Sequence, residues 1–405
     1  MDFNFYIMIA RDSYLSHLEK WKDKPVVKVI TGIRRCGKST LLKIYRNRLH
    51  DMGVADDQII SLNLEDIDNE KYLNYRELYT YVKSQIHPSK MNYLFFDEIQ
   101  MVDNFQKAID SLQLIDNVDI YVTGSNAYLL SGEIATLLSG RYVEIEMFPL
   151  SFKEYISTLP ANTSDETAYR NYIEYGAFPY ITQLNNDPEL IKDYLRGLYN
   201  TIVLKDVIYR KRISDSIVLE SIVKFLSDNI GNTSAIKRIS DTLTSTGRKT
   251  SSHTVESYVA ALIASYIFYP VSRYDVKGTQ LLKTGQKYYL ADVGLRNIIL
   301  GSKGGDLGHI LENIIFLELL RRGKEVYIGK VGNLEIDFIT IDGNTKAYYQ
   351  VALSVREPET LQRELAPLQA ISDSYPKYLL TLDNDPFISH NGINQIYALD
   401  WLLNE

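Results

Sequence analysis

Nine consecutive residues carry the most specific chemistry in this 405-residue sequence: Gly32-Ile33-Arg34-Arg35-Cys36-Gly37-Lys38-Ser39-Thr40. Two glycines separated by four residues and followed by Lys and Ser match a loop that wraps a phosphate chain. The glycines let backbone N–H groups turn inward at a helix N-terminus, where aligned dipoles favour an anion. In such a loop Lys38 reaches the outer phosphate oxygens and the Ser39 hydroxyl holds Mg²⁺. Arg34 and Arg35 bring charge that suits a triphosphate or pairs with another domain. Cys36 fits as a small side chain.

A second constellation completes the first. Tyr93-Leu94-Phe95-Phe96-Asp97-Glu98 is an apolar run ending in two carboxylates. In the Walker B arrangement Asp97 holds the water shell of the metal and Glu98 polarises the attacking water. Thr123-Gly124-Ser125-Asn126 ends another apolar run, where Asn126 or Ser125 can orient that water or sense the terminal phosphate. Arg141 precedes a further run. An arginine there serves its own nucleotide, serves a neighbour's as a finger, or is a solvated surface residue.

These residues need strands that end together and helices that begin there. Val26–Ile30, Ile59–Leu64, Tyr93–Phe96, Ile120–Thr123 and Tyr142–Met147 are short β-branched or aromatic runs, most of them separated by helical stretches rich in Leu, Lys and Glu. That alternation predicts an α/β fold with a parallel sheet. At roughly 150 residues per domain the length predicts two or three domains. Polar residues 162–167 and the glycine-rich stretch Gly301–Gly308 suggest cuts giving domains 1–160, 161–300 and 301–405. The chain carries 44 Lys+Arg against 51 Asp+Glu, a net charge of −7 that argues against a wholly basic nucleic-acid binder. By thirds the charge is −4, +3 and −6, so only the middle is basic. One cysteine excludes a disulfide framework and points to a reducing cytoplasm. The opening apolar run is too short for a signal peptide, and no run approaches the roughly 20 residues that span a membrane.

In the basic third, a helix from Ser234, a turn with Gly247 and a helix from Ser252 precede two strands, Val271–Tyr274 and Lys287–Leu290. The pattern suggests a winged helix-turn-helix. Lys237, Arg238, Arg248, Lys249, Ser252 and His253 gather near the turn, and Lys287 decorates the hairpin. Two readings stand, contact with double-stranded DNA and docking to protein.

The whole chain resembles a family of bacterial and archaeal AAA-type P-loop ATPases that end in a restriction-nuclease-like domain of unknown function. The carriers are Arg11-Asp12-Ser13-Tyr14-Leu15, the phosphate loop, Phe96-Asp97-Glu98-Ile99-Gln100, Thr123-Gly124-Ser125-Asn126-Ala127, Phe148-Pro149-Leu150-Ser151-Phe152 and Tyr175-Gly176-Ala177-Phe178-Pro179. The resemblance implies binding and slow hydrolysis of ATP with Mg²⁺, a helical lid after the sheet, and self-association on ATP binding. It extends to signalling ATPases that hold nucleotide as a conformational lock with protein partners. The last third is similar to the PD-(D/E)XK nuclease core, with Glu312 on a helix and Asp337 on a strand matching its acidic positions. Gln350-Val351-Ala352 stands where that core has an acid and a lysine. Ala352 supplies no ammonium, so the expectation is an inactive, degenerate site at Glu312, Asp337 and Gln350, with the acids paired to Arg321, Arg322 or Lys324.

Overall fold

The computed structural model describes residues 9–127, 140–209, 213, 215–301, 307–386 and 388–404. Most of the glycine-rich stretch expected as a linker lies outside them. The chain divides into two compact units, Met1–Pro149 with Ala264–Tyr266, and Leu150–Ile263 with Ile267–Glu405.

In the first unit, helix α1 (Asp12–Trp21) precedes strand β1 (Val27–Thr31), α2 (Lys38–Asp51), β2 (Ile59–Asn63), α3 (Tyr75–Gln85) and β3 (Asn92–Asp97). Then come α4 (Phe105–Gln113), β4 (Val118–Thr123) and β5 (Tyr142–Glu146). All five expected strands form. They make one parallel sheet in the order β2-β3-β4-β1-β5. Alternation along buried strands gives the sheet two apolar faces. Val27, Val29, Leu94, Phe96, Ile120 and Val122 pack with Leu78, Val82, Ile109 and Leu112 of α3 and α4. Phe95 and Tyr121 stack on each other and meet Tyr45 of α2. Each fully buried side chain of this size contributes about 1.5–3 kcal/mol, so the strands are held whichever way their residues point.

Among these aromatics lies a buried ion pair. The ammonium of Lys28, the second residue of β1, donates to the Asp119 carboxylate of β4, and both side chains are sealed from solvent. It also donates to the Lys24 carbonyl at 2.9 Å. Asp119 accepts in addition from the Asp23 N–H and the Tyr121 hydroxyl, each at 2.8 Å. Burial pushes the Asp119 carboxyl up and the Lys28 ammonium down, and each partner's charge opposes the shift in the other.

The second unit begins with helices α5 (Phe152–Ile156), α6 (Asp165–Tyr175), α7 (Pro188–Asn200) and α8 (Ser216–Asp228), then α9 (Ile236–Ser245) and α10 (Ser252–Ala264). Hairpin β6 (Phe268–Asp275) and β7 (Gln280–Leu290), α11 (Val293–Leu300) and α12 (Leu307–Arg321) follow. The last part holds β8 (Glu325–Val331), β9 (Leu334–Asp342), β10 (Thr345–Ala352), α13 (Pro358–Gln369), β11 (Lys377–Thr381), β12 (Ile388–His390), β13 (Ile393–Tyr397) and α14 (Ala398–Leu403). The hairpin expected as a wing does not stand alone. β6 runs parallel to β8, with Arg273 opposite Ile328, so the sheet is continuous in the order β12-β13-β11-β10-β9-β8-β6-β7. The middle and last thirds of the chain therefore share one sheet across the expected cut near 300. Ser234 does not cap α9: Ala235 is its N-cap, and Ser234 instead exchanges backbone hydrogen bonds with Gln286.

The turn after α6 shows what its glycine is for. Gly176 has φ +82°, and a Cβ there would lie 2.3 Å from Asp292 Oδ1. Buried Asp292 caps α11 through the Leu295 N–H at 3.0 Å and accepts the Ala177 N–H at 2.6 Å. Burial outweighs these bonds and pushes its carboxyl from 3.8 up to about 6. The folded chain thus keeps a proton that the unfolded chain releases, so this group's stabilisation is complete below about pH 4 and lost as pH rises through about 6. Between those limits the stability of the natural protein should fall by on the order of 3 kcal/mol relative to Asp292→Asn. Chemical denaturation of both proteins across that range checks this, and a pH-independent difference would show an ordinary carboxyl.

Candidate functional site

The Gly32–Thr40 loop leaves the C-terminal end of β1 and enters α2, the strand–loop–helix context its sequence requires. Two glycines make the path possible. Gly32 has φ +132°, and a Cβ there would sit 2.1 Å from the Met147 carbonyl oxygen. Gly37, at φ +108°, is the N-cap of α2. Buried Lys38 folds its ammonium back onto the loop, donating to the carbonyls of Gly32 at 2.8 Å and Ile33 at 3.1 Å. Ile33 and Cys36 are sealed from solvent, and burial pushes the Cys36 thiol up, away from the reactive thiolate. Arg34 is buried with its Nη1 3.3 Å from Glu65, whereas Arg35, Ser39 and Thr40 are exposed.

The carboxylates lie at the same end of the sheet, because β4 pairs with both β1 and β3. Asp97 ends β3 and accepts a hydrogen bond from the Thr123 hydroxyl, with the Ser39 hydroxyl near enough to act on its charge. Burial and the neighbouring Glu98 charge raise its carboxyl, while those hydroxyls and the Lys38 ammonium oppose the shift. Glu98 takes the left-handed backbone conformation at φ +54°, and its N–H donates to Thr123 Oγ1 at 2.9 Å. That conformation is strained for a non-glycine residue and turns the chain sharply at the strand end. Ser125 Oγ donates to Glu98 Oε2 at 3.1 Å, and the Gln100 amide donates to the same oxygen. Asn126 is buried just beyond β4.

Lys38, Ser39, Asp97, Glu98 and Ser125 are thus gathered at one sheet end. Arg141 is not. Its carbonyl accepts from Val27, the first residue of β1, a strand's length from the phosphate loop, and its guanidinium pairs with Asp110 at 2.8 Å. The sequence reading left Thr123, Gln100 and Arg11 without roles. Thr123 links both acids, and its signal was a hydroxyl at the tip of an apolar strand. Arg11 donates to the carbonyls of Cys36 at 3.3 Å and Phe148 at 2.6 Å, bracing the loop from outside. No local pattern distinguishes it from a surface arginine.

In the second unit, Lys237, Arg238, Arg248, Lys249, Ser252 and His253 are all exposed around the turn between α9 and α10. Arg248 is anchored on α8, donating to the Ile217 carbonyl at 2.9 Å and to the Ser221 hydroxyl. Glu312, Asp337 and Gln350 lie on α12, β9 and β10 and are buried or nearly so. The expected partners of the acids are otherwise engaged: Arg321 and Arg322 pair with Glu318, and Lys324 with Asp342. Glu312 instead meets Lys287, which sits in the interior rather than on the hairpin surface. Asp337 accepts the Val351 N–H at 2.8 Å, and burial with the Glu312 charge holds its carboxyl well above the usual range.

Residues 24–156 match the family described as AAA domain, and residues 166–305 match a domain of unknown function (DUF8612). An uncharacterized protein of Haemophilus influenzae is 40% identical over 401 residues, covering 98% of this chain and 99% of that protein. An uncharacterized protein of Methanocaldococcus jannaschii is 32% identical over 377 residues, covering 88% and 80%. Among solved structures, the Walker-type ATPase paby2304 of Pyrococcus abyssi is similar, with a TM-score of 0.50 at 16% identity over 72% of this chain and 95% of that one.

Proposed function

The chain belongs to one family with the uncharacterized Haemophilus influenzae and Methanocaldococcus jannaschii proteins and matches an AAA domain over residues 24–156, and on that premise we propose that it is an ATP-binding and ATP-hydrolysing molecular switch or motor. One observation carries the reading: Asp97 accepts from the Thr123 hydroxyl, which also receives the Glu98 N–H, and this carboxylate pair lies at the end of the sheet where the phosphate loop with Lys38 and Ser39 enters α2. Ser39 and Asp97 are oxygen donors of the kind Mg²⁺ takes, directly or through its waters, and they fit it. Bound there with the nucleotide, Mg²⁺ would neutralise charge on the phosphate oxygens.

The protein's own groups divide the remaining work. Lys38 exchanges the carbonyls of Gly32 and Ile33 for phosphate oxygens, and the loop N–H groups cradle the chain of phosphates. Glu98 accepts a proton from the attacking water once its carboxylate turns from Ser125 and Gln100. Asn126 orients that water or senses the terminal phosphate. The products are ADP and phosphate. The position of Arg141 at the far end of β1 sets it apart from its own nucleotide and leaves two roles, a finger on a neighbouring copy's nucleotide in an assembly formed on ATP binding, or the surface ion pair it makes with Asp110.

The helix pair α9–α10, with its exposed cations, supports ATP-controlled engagement of double-stranded DNA in a cytoplasmic setting. The contrasting reading is a nucleotide-locked switch with protein partners, favoured by Arg248 being spent on α8. Steady ATP turnover is expected to rise several-fold with duplex DNA, and supercoiled plasmid in the same reactions is expected to stay intact. Turnover indifferent to DNA, with nucleotide retained through gel filtration, supports the switch. Among the described residues no helix is long and apolar enough to cross a membrane.

A further inference from the structure

The last sheet contains a cluster of acids with a cation of the chain's own at its centre. Lys287, on edge strand β7, is 3% exposed. Its ammonium lies 3.1 Å from Glu312 Oε1 on α12 and 2.9 Å from Glu335 Oε1 on β9. Two residues along β9, Asp337 is close enough for its charge to act on the same ammonium. The Tyr289 hydroxyl donates at 2.5 Å to the Glu312 oxygen that faces Lys287. Beside them Gln350, 7% exposed, donates to Glu364 at 2.9 Å, while its buried Oε1 has no hydrogen-bond partner.

Carboxylates from separate elements converge in an interior when a proton or a positive charge sits between them, and Asp337 shows the first remedy while Glu312 and Glu335 both face a cation. A divalent metal or an ammonium can supply that charge. Among the described residues no group of three or more His, Cys, Asp or Glu side chains is arranged to hold a metal ion. The charge that is present is the lysine, held by its own strand at a high effective concentration that a dissolved ion does not match. A dication entering would also have to dehydrate and approach a fixed ammonium.

We propose that Lys287 is a tethered cation standing in the place of a divalent metal among Glu312, Glu335 and Asp337, so that the cluster binds no metal while the lysine is seated and becomes a divalent-cation site when it is removed. The lysine also fastens the free edge strand to α12 and β9. Gln350 Oε1 is a further neutral donor for an incoming ion.

The test uses the full chain, Mn²⁺ uptake by electron paramagnetic resonance, and thermal unfolding. Lys287→Ala should unfold at a lower temperature than the natural protein and bind Mn²⁺ at least roughly tenfold more tightly. Either Mn²⁺ or propylammonium should raise its midpoint, and adding Glu312→Gln should abolish both effects. That second change also separates this cluster from Mn²⁺ held at the phosphate loop. Lys287→Gln, which keeps hydrogen-bonding capacity, carries the same test if Lys287→Ala does not fold. Two results would overturn the proposal: Glu312-dependent Mn²⁺ uptake by the natural protein, or lysine variants that answer to neither cation, whether by unfolding midpoint or by yield on refolding.

Discussion

Glu98→Gln is expected to lower steady ATP turnover by on the order of 10²–10⁴-fold, the usual contribution of a positioned base, while leaving nucleotide binding within about twofold. The substitution is nearly isosteric. The new amide can keep its oxygen toward the Ser125 hydroxyl and the Gln100 amide, which both donate to that position, so the turn at Glu98 keeps its shape. What disappears is the group that takes the proton from water. Lys38→Ala should behave differently, because its ammonium is the loop's mobile positive charge; there the loss falls on binding itself. Phosphate release measured beside titration with a fluorescent ATP analogue distinguishes the two. Unchanged turnover in Glu98→Gln would remove that residue from the reaction.

The second large effect concerns stability. Asp119→Ala leaves the Lys28 ammonium sealed in the interior with only the Lys24 carbonyl from its present partners. Breaking a buried pair from one side costs about 3–5 kcal/mol, and the midpoint of chemical denaturation should fall accordingly. The double variant Lys28→Met with Asp119→Leu should recover most of that loss, since it removes both charges and fills similar volume. A double variant as unstable as the single would mean that the pair holds the strands in a way apolar packing does not replace.

What could be read in the sequence was local. Continuous β-branched runs, two glycines with Lys38 and Ser39, and an apolar strand closing on Asp97 and Glu98 are patterns within a dozen residues. The parallel sheet and its phosphate loop follow from them. What escaped depends on partners far along the chain. Lys28 looks like an interruption in a strand until Asp119 is placed beside it. Arg11 braces a carbonyl 25 residues away and another 137 away. Lys287 opens the run Tyr288-Tyr289-Leu290, and its burial company was the one hint that it faces inward. One local signal was overlooked. Asn391-Gly392, both at positive φ, closes the β12–β13 hairpin with His390 opposite Ile393, the two-residue turn that Asn-Gly favours.

The parallel pairing of β6 with β8 has a consequence for how a charged partner would approach. The basic middle of the chain, +3, and its acidic end, −6, are joined by one continuous sheet. A polyanion at long range therefore meets the chain's net −7 rather than the +3 of its middle, and is repelled. Only inside a screening length of about 8–10 Å at physiological salt does it feel the exposed cations around α9 and α10 on their own. Any nucleic acid engaged there would arrive without electrostatic steering. Association should then be slow and should quicken, not slacken, as salt is added at the low end of the range.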